Sequence, residues 1–184
     1  QVVNDQGQTM TQSVEIKVRL SHELVQTEEA RIQVGRRKDP LVLDLTGTGI
    51  DLTGIQDGTV FDLNGDGVAE RSATVKGGAG LLWLDRNSNG QLDNGSELFG
   101  DFRGAADGFE DLAKLDENHD GRVDAADSQY GALRVRTNSG GAAQDQDLEK
   151  AGVAALYLEK IALPAELGTQ ASVAAAGVFQ RTSG

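Results

Sequence analysis

Three segments of the chain place an acidic residue first, Asn or Asp at alternate positions after it, and then glycine. They are Asp62, Asn64, Asp66, Gly67; Asp85, Asn87, Asn89, Gly90; and Asp116, Asn118, Asp120, Gly121. These residue types at this spacing suit a hard divalent cation. Ca²⁺ takes about six to eight oxygens, and a tight loop supplies them from side chains at positions 1, 3 and 5 and a backbone carbonyl at 7, with glycine at 6 for the sharp turn. The ligands expected in the first loop are Asp62, Asn64, Asp66, the Val68 carbonyl and Glu70. Those of the second are Asp85, Asn87, Asn89, the Gln91 carbonyl, Asp93 and Glu97, the glutamate falling at position 13 rather than 12. Those of the third are Asp116, Asn118, Asp120, the Arg122 carbonyl and Asp127, an aspartate where a bidentate glutamate is usual. One such string is an ordinary Asp/Asn/Gly turn, but three within 66 residues call for a common cause. Residues 44–51 keep the glycine spacing but carry Thr46 and Thr48 at ligand positions, so they read as a turn.

These loops need strands and a helix to hold them. Val14, Ile16, Val18 and Leu20 alternate with charged residues, predicting a strand with one buried face, and Leu41, Leu43 and Leu45 alternate with Val42 and Asp44 as another strand. Residues 31–34 read as a further extended piece and 35–38 as a basic linker. Residues 59–61 and 73–75 frame the first loop as strands, and 81–84 form a short apolar strand carrying Trp83 into the second. The third loop has different flanks. Phe109, Leu112 and Ala113 fall at i, i+3 and i+4, predicting an entry helix, and 125–130 predict an exit helix. Further on, 133–135 read as a strand, 138–143 as a glycine-rich turn, 147–158 as a helix and 172–179 as a closing strand. The expected fold class is α+β, with short β-strands, β-turn calcium loops and one EF-hand-like helix-loop-helix. Residues 1–38 read as a β-rich flanking segment and 39–184 as the calcium-binding module.

Composition limits the alternatives. The 184 residues suit one ordinary domain with an appendage, while 24 glycines and 4% aromatics imply many turns and a modest core. A formal charge of −12 argues against nucleic acid and anionic membrane surfaces as partners; three bound Ca²⁺ would bring it to −6. With no cysteine, neither a disulfide framework nor a thiolate metal site is available, and metal ions in place of disulfides suit a calcium-rich extracellular setting. No apolar run reaches the roughly 18 residues of a membrane span, and residues 1–20 lack the features of a signal peptide, so the chain reads as a piece of a longer exported polypeptide.

The strings Asp-Pro-Leu-Val-Leu-Asp-Leu at 39–45 and Leu-Asp-Arg-Asn-Ser-Asn-Gly-Gln-Leu-Asp-Asn-Gly-Ser-Glu-Leu-Phe-Gly at 84–100 are more specific than any calcium loop. With them, residues 39–184 resemble the calcium-dependent self-processing module of bacterial repeat-in-toxin (RTX) proteins of the FrpC-like type. The resemblance implies secretion, folding on Ca²⁺ outside the cell, and cleavage of the Asp39–Pro40 bond with coupling of the freed aspartyl end to a lysine amine. The chain departs from that family at Thr46 and Thr48, where similar modules carry acidic residues, and at 137–147, which lack the alternation of a further loop.

Cleavage at Asp39 is chemically reasonable, because its carboxylate and its own peptide carbonyl are held together by the chain and close a five-membered anhydride. Pro40 is the leaving amine and needs a proton. Asp-Pro is equally an ordinary start to an extended segment. Two readings therefore stand: a calcium-stabilised module without turnover, and a self-cleaving one. A cytosolic EF-hand sensor or a dockerin-like module would pair helix-flanked loops, and sensors expose Met-rich grooves; this chain has one methionine. His22 and His119 are too far apart for a zinc site, and Ser21 beside His22 forms no nucleophile–base pair.

Overall fold

Leucine and tryptophan alternate along the strand that divides the molecule, so its two faces feed two separate cores. In the computed structural model, which describes residues 2–3, 9–10, 40–139, 141–167 and 171–182, that strand runs from Ala79 to Leu84. Two compact units are present, Gln1–Arg37 and Lys38–Gly184. In the first, β1 (Val2–Val3) pairs antiparallel with β2 (Thr9–Met10). The strands expected at 14–20 and 31–34, the linker at 35–38, Ser21, His22 and Asp39 lie outside the described residues.

The second unit contains β3 (Val42–Asp44), β4 (Asp51–Leu52), β5 (Thr59–Phe61), β6 (Glu70–Ser72), β7 (Val75–Lys76), β8 (Ala79–Leu84), α1 (Gly108–Ala113), β9 (Arg122–Asp124), β10 (Leu133–Ser139), β11 (Ala142–Asp147), β12 (Val153–Leu167) and β13 (Ala171–Arg181). Short 3₁₀ turns occupy Gly95–Glu97, Asp101–Arg103 and Tyr130–Ala132. Four strands form one antiparallel sheet in the order β11-β10-β8-β3, and three form another in the order β13-β12-β9. The pairs β4–β7 and β5–β6 are two-stranded.

Period-2 alternation decides which side chains of β8 meet which core. Leu82 and Leu84 join Leu43, Phe99, Leu112, Leu115, Val123, Leu133, Val135, Leu148, Val153 and Leu156. On the opposite face Trp83 packs with Leu92 and Leu98, flanked by Phe61, Leu63 and Leu81. Gly80 makes the central pairing possible, since a Cβ there would stand 2.4 Å from Cγ2 of Val135.

The expected α+β class with an EF-hand-like helix-loop-helix is corrected. Among the described residues the unit is predominantly antiparallel β, with one six-residue α-helix and 3₁₀ turns. An entry helix precedes the third loop, but the loop leaves through β9, a turn at 125–129 and a 3₁₀ turn. Cross-strand pairing is what overrides the helix. Val123 lies opposite Leu156 in the β9–β12 ladder, and the Asp127 carboxylate accepts the amides of Asp124 and Glu117 at 2.9 Å each, folding the chain back on itself. The helix expected at 147–158 is also absent. Leu148 and Val153 are both buried across a turn closed by Gly152 at φ +78, and 153 onward pairs with β13. On α1 the inward residues are Gly108, Asp111 and Leu112, while Ala113 faces solvent. Strands did form at 59–61, 81–84 and 133–135, and at 172–179 within β13.

Asp107 caps α1, accepting the amides of Phe109 at 2.9 Å and Glu110 at 3.0 Å, and its other oxygen pairs with Lys160. Burial alone would raise this carboxyl, but the Lys160 hydrogen bond and the helix amides outweigh it and hold the group below its ordinary value. A depressed folded pKa contributes stability above the unfolded value of about 3.9, lost as pH falls through the lower folded one. Asp107→Asn is therefore expected to flatten the loss of stability on acidification, read by denaturant unfolding at pH 2 to 6. Leu82→Ala, which opens the main core at its fully buried centre, is expected to cost about 2 to 5 kcal/mol by the same measurement.

Candidate metal centre

A carboxylate followed by a run of free amide groups closes on itself, and the three candidate loops do so in one way. In each, the first aspartate accepts the amide of position 5 and that of the glycine at position 6. For Asp62 these are Asp66 at 3.1 Å and Gly67 at 2.9 Å, and it accepts that of Gly65 as well, at 2.7 Å. For Asp85 they are Asn89 at 3.0 Å and Gly90 at 2.7 Å. For Asp116 they are Asp120 at 3.2 Å and Gly121 at 3.0 Å. The position-3 side-chain oxygens of Asn64, Asn87 and Asn118 accept from position 5 at 2.9, 3.0 and 3.0 Å. The position-5 oxygens of Asp66, Asn89 and Asp120 accept from Val68, Gln91 and Arg122 at 2.8, 2.8 and 3.2 Å. Position 4 is left-handed in all three, at Gly65 (φ 73), Ser88 (φ 60) and His119 (φ 58). His119 is exposed.

This frame brings most of the expected ligands together. The Asn64 amide donates to Asp66 at 2.9 Å and to Glu70 at 3.3 Å, so both carboxylates face one point within the first loop. In the second, the amides of Asn87 and Asn89 both reach Oδ2 of Asp93 at 2.7 Å, and the Asp93 amide reaches Oε2 of Glu97 at 2.9 Å. Glu97 is buried although its position is displaced by one, because the 3₁₀ turn at Gly95–Glu97 takes up the extra residue. In the third, Asp116 and Asp127 are buried, and Asn118 donates to Asp120 at 3.3 Å. Arg122 lies between Asp120 at 3.2 Å and Asp124 at 2.7 Å.

Among the described residues no group of three or more Asp, Glu or His side chains is placed to hold a metal ion. Each loop draws instead on Asp, Asn and the main chain, the all-oxygen mixture that a hard cation takes. The asparagine N–H groups that lie between the carboxylates offset their mutual repulsion. By donor chemistry these residues fit Ca²⁺.

The loop with Thr46 and Thr48 keeps the same frame without the charges. Asp44 accepts Gly49 at 2.7 Å, Gly47 at 2.8 Å, and Thr46 and Thr48 at 3.3 Å each, while the two threonine hydroxyls bond one another at 2.7 Å. The Gly49 amide foremost, with the other three amides, holds the Asp44 carboxyl below its ordinary value against the opposing effect of burial. The segment at 137–147 is the β10–β11 hairpin rather than a loop of this kind.

Pro40 is half-buried and leads into β3. The peptide of Leu41 is held on both sides, its amide donating to Phe99 at 3.1 Å and its carbonyl accepting from Leu82 at 3.0 Å. Pro40 and Leu41 line a cavity of about 890 Å³ together with Phe109, Tyr157 and Phe179.

A second group of polar residues escaped the sequence reading. Asp111 is buried on α1, beside Arg103, with Lys114 at 3.2 Å and Arg86 at 3.9 Å. Burial first, and then the Arg103 charge, pull the Arg86 guanidinium below its usual value, against the opposing effect of Asp111 and Glu97. The sequence marked this helix through Phe109, Leu112 and Ala113, and that apolar spacing carries no trace of the buried Asp111.

The SPM domain family model matches residues 41–184. Over 159 aligned positions the chain is 36% identical to the iron-regulated protein FrpA of Neisseria meningitidis serogroup C, covering 79% of this chain and 14% of that protein. It spans about one seventh of that relative's length. No helix among the described residues is long and apolar enough to cross a membrane. With the match running through both cores and all three loops, the chain belongs to the SPM domain family.

Proposed function

We propose that residues 39–184 are a calcium-binding module of a larger secreted protein of the RTX type, folding and gaining stability as Ca²⁺ enters the loops at Asp62, Asp85 and Asp116. The observation that supports this reading is the hydrogen-bond frame shared by the three loops, in which the first aspartate accepts the amides of positions 5 and 6 and the position-3 asparagine accepts that of position 5. An ion that binds only the folded state adds about 2.7 kcal/mol per site at a hundredfold excess over its Kd. The loop carboxylates repel one another without a cation, so a low-calcium cytosol would keep the module loose and an extracellular one would set it. Relationship to a much longer protein fits a role as one part of a larger polypeptide.

Native mass spectrometry in millimolar Ca²⁺ is expected to show three bound ions, and melting followed by circular dichroism is expected to rise well above its value in EDTA. Identical melting curves in the two conditions would refute the proposal. Trp83 packs on Leu92 and Leu98 from the second loop and donates its indole N–H to Asp145 at 3.1 Å, so its fluorescence reports that loop. Asp85→Ala is expected to abolish the calcium-dependent fluorescence change while leaving two ions bound.

A second reading, self-cleavage at Asp39–Pro40, is favoured by the anchoring of Leu41 between Phe99 and Leu82. The chain just beyond the bond is thereby tied to the residues that open and close the second loop. An oxygen of the Asp39 carboxylate would attack the carbon of its own peptide carbonyl, the bond to the Pro40 nitrogen would break, and that nitrogen would take up a proton. Water or a lysine amine would then open the five-membered anhydride. Bound Ca²⁺ supplies only positive charge and a fixed geometry in this reading. Incubation of the full chain with Ca²⁺ is expected to release pieces of 39 and 145 residues, absent in Asp39→Ala. A chain still intact after a day removes this second reading and leaves the first standing.

A further inference from the structure

The buried carboxylate of Asp111 is not one of the loop ligands, yet it touches the approaches to two loops. It lies on α1, the helix that delivers Asp116 to the third loop three residues beyond its end. Its Oδ2 pairs with Arg103 and stands 3.9 Å from Arg86, a residue inside the second loop. Both arginines also hold the second loop's closing turn: Arg86 Nε donates to the Ser96 carbonyl at 3.2 Å, and Arg103 donates to the same oxygen. The next residue is Glu97, whose Oε1 accepts the Arg86 amide at 3.2 Å. Lys114, at the end of α1, donates to Asp111 at 3.2 Å and reaches the Arg103 carbonyl at 3.5 Å.

A carboxylate that is 2% exposed, placed among three cations, has few ways to move alone. A shift of Glu97 carries Ser96 and both guanidinium groups with it, and through Asp111 it reaches the helix that sets Asp116. Arg103 links the Ser96 carbonyl of the second loop's closing turn to Asp111 by hydrogen bonds, and from Asp111 the route to the third loop runs along the α1 backbone, where the Asp116 amide bonds the Ala113 carbonyl, a contiguous path able to carry coupling.

We propose that Asp111, held by Arg86 and Arg103, is a positioning residue that couples the second and third loops, so that Ca²⁺ at one strengthens binding at the other. The proposal rests on the calcium reading above. Coupling is reciprocal and is measured as a difference of differences. Ca²⁺ is titrated into the calcium-stripped full chain, with Trp83 fluorescence reporting the second loop and calorimetry the total binding. Asp120→Ala weakens the third loop at an exposed ligand. It is expected to move the Trp83 midpoint to about tenfold higher Ca²⁺ in the otherwise native chain, and by less than about twofold in the Asp111→Asn background. Loss of general stability alone would not erase that difference. An unmoved Trp83 midpoint in the single variant, or a shift of equal size in both backgrounds, overturns the proposal. Should Asp111→Asn lack the native circular dichroism spectrum at saturating Ca²⁺, Arg103→Gln takes its place and is judged by the same two outcomes. Heat of binding with independent loops defeats the coupling alone, whereas no binding heat at all defeats the calcium reading and the coupling with it.

Discussion

The first aspartate of each loop accepting its own downstream amides is the interaction on which this fold turns. Asp44, Asp62, Asp85 and Asp116 all do so. An ionised carboxylate is a stronger acceptor than a carbonyl, so it gathers several amides that no ladder satisfies. The cost is that further carboxylates are drawn into the same few ångströms. Asparagine N–H groups offset that repulsion in the first and second loops, and two threonine hydroxyls replace the charges in the Asp44 loop. The turn and the cation-binding potential are thus separable. A loop can lose its acidic ligands and keep its shape, because the shape depends on the first aspartate and the left-handed glycines.

Strand β8 links these turns to the hydrophobic core. Leu82 and Leu84 enter one core and Trp83 the other, so the strand that starts the second loop at Asp85 is fixed from both sides. The first loop is tied in as well, through the Gly95 amide donating to the Asp62 carbonyl at 2.8 Å. Leu41 is pinned against the same strand, beside Pro40. Order in the second loop and order at Pro40 and Leu41 are therefore parts of one packing arrangement.

Much of this was legible before any coordinates. The alternation of Asp, Asn and Gly marked all three loops, and the runs at 41–45, 59–61 and 81–84 marked the strands that carry them, since period-2 burial leaves a direct trace in sequence. The paired motifs at 39–45 and 84–100 pointed to the family later matched over 41–184. The helices expected at 125–130 and 147–158 are where local pattern misled. Residues 153–158 instead form part of β12 and pair with β9 and β13, which satisfies more backbone than a short isolated helix does, and 125–129 is a turn in which the Asp127 carboxylate accepts the amides of Glu117 and Asp124.

Sequence alone determined the loops, because their chemistry is local: an aspartate and the amides within five residues of it need no distant partner. Tertiary structure alone decided what surrounds them. The β9–β12 pairing replaced an EF-hand exit helix, and a 3₁₀ turn placed the displaced Glu97 at the mouth of its loop. Asp111 was buried among Arg86, Arg103 and Lys114, residues up to 25 positions from it in the chain. An isolated acidic residue on a short helix carries no sequence mark of burial. That outcome depends on which cations the fold delivers to it.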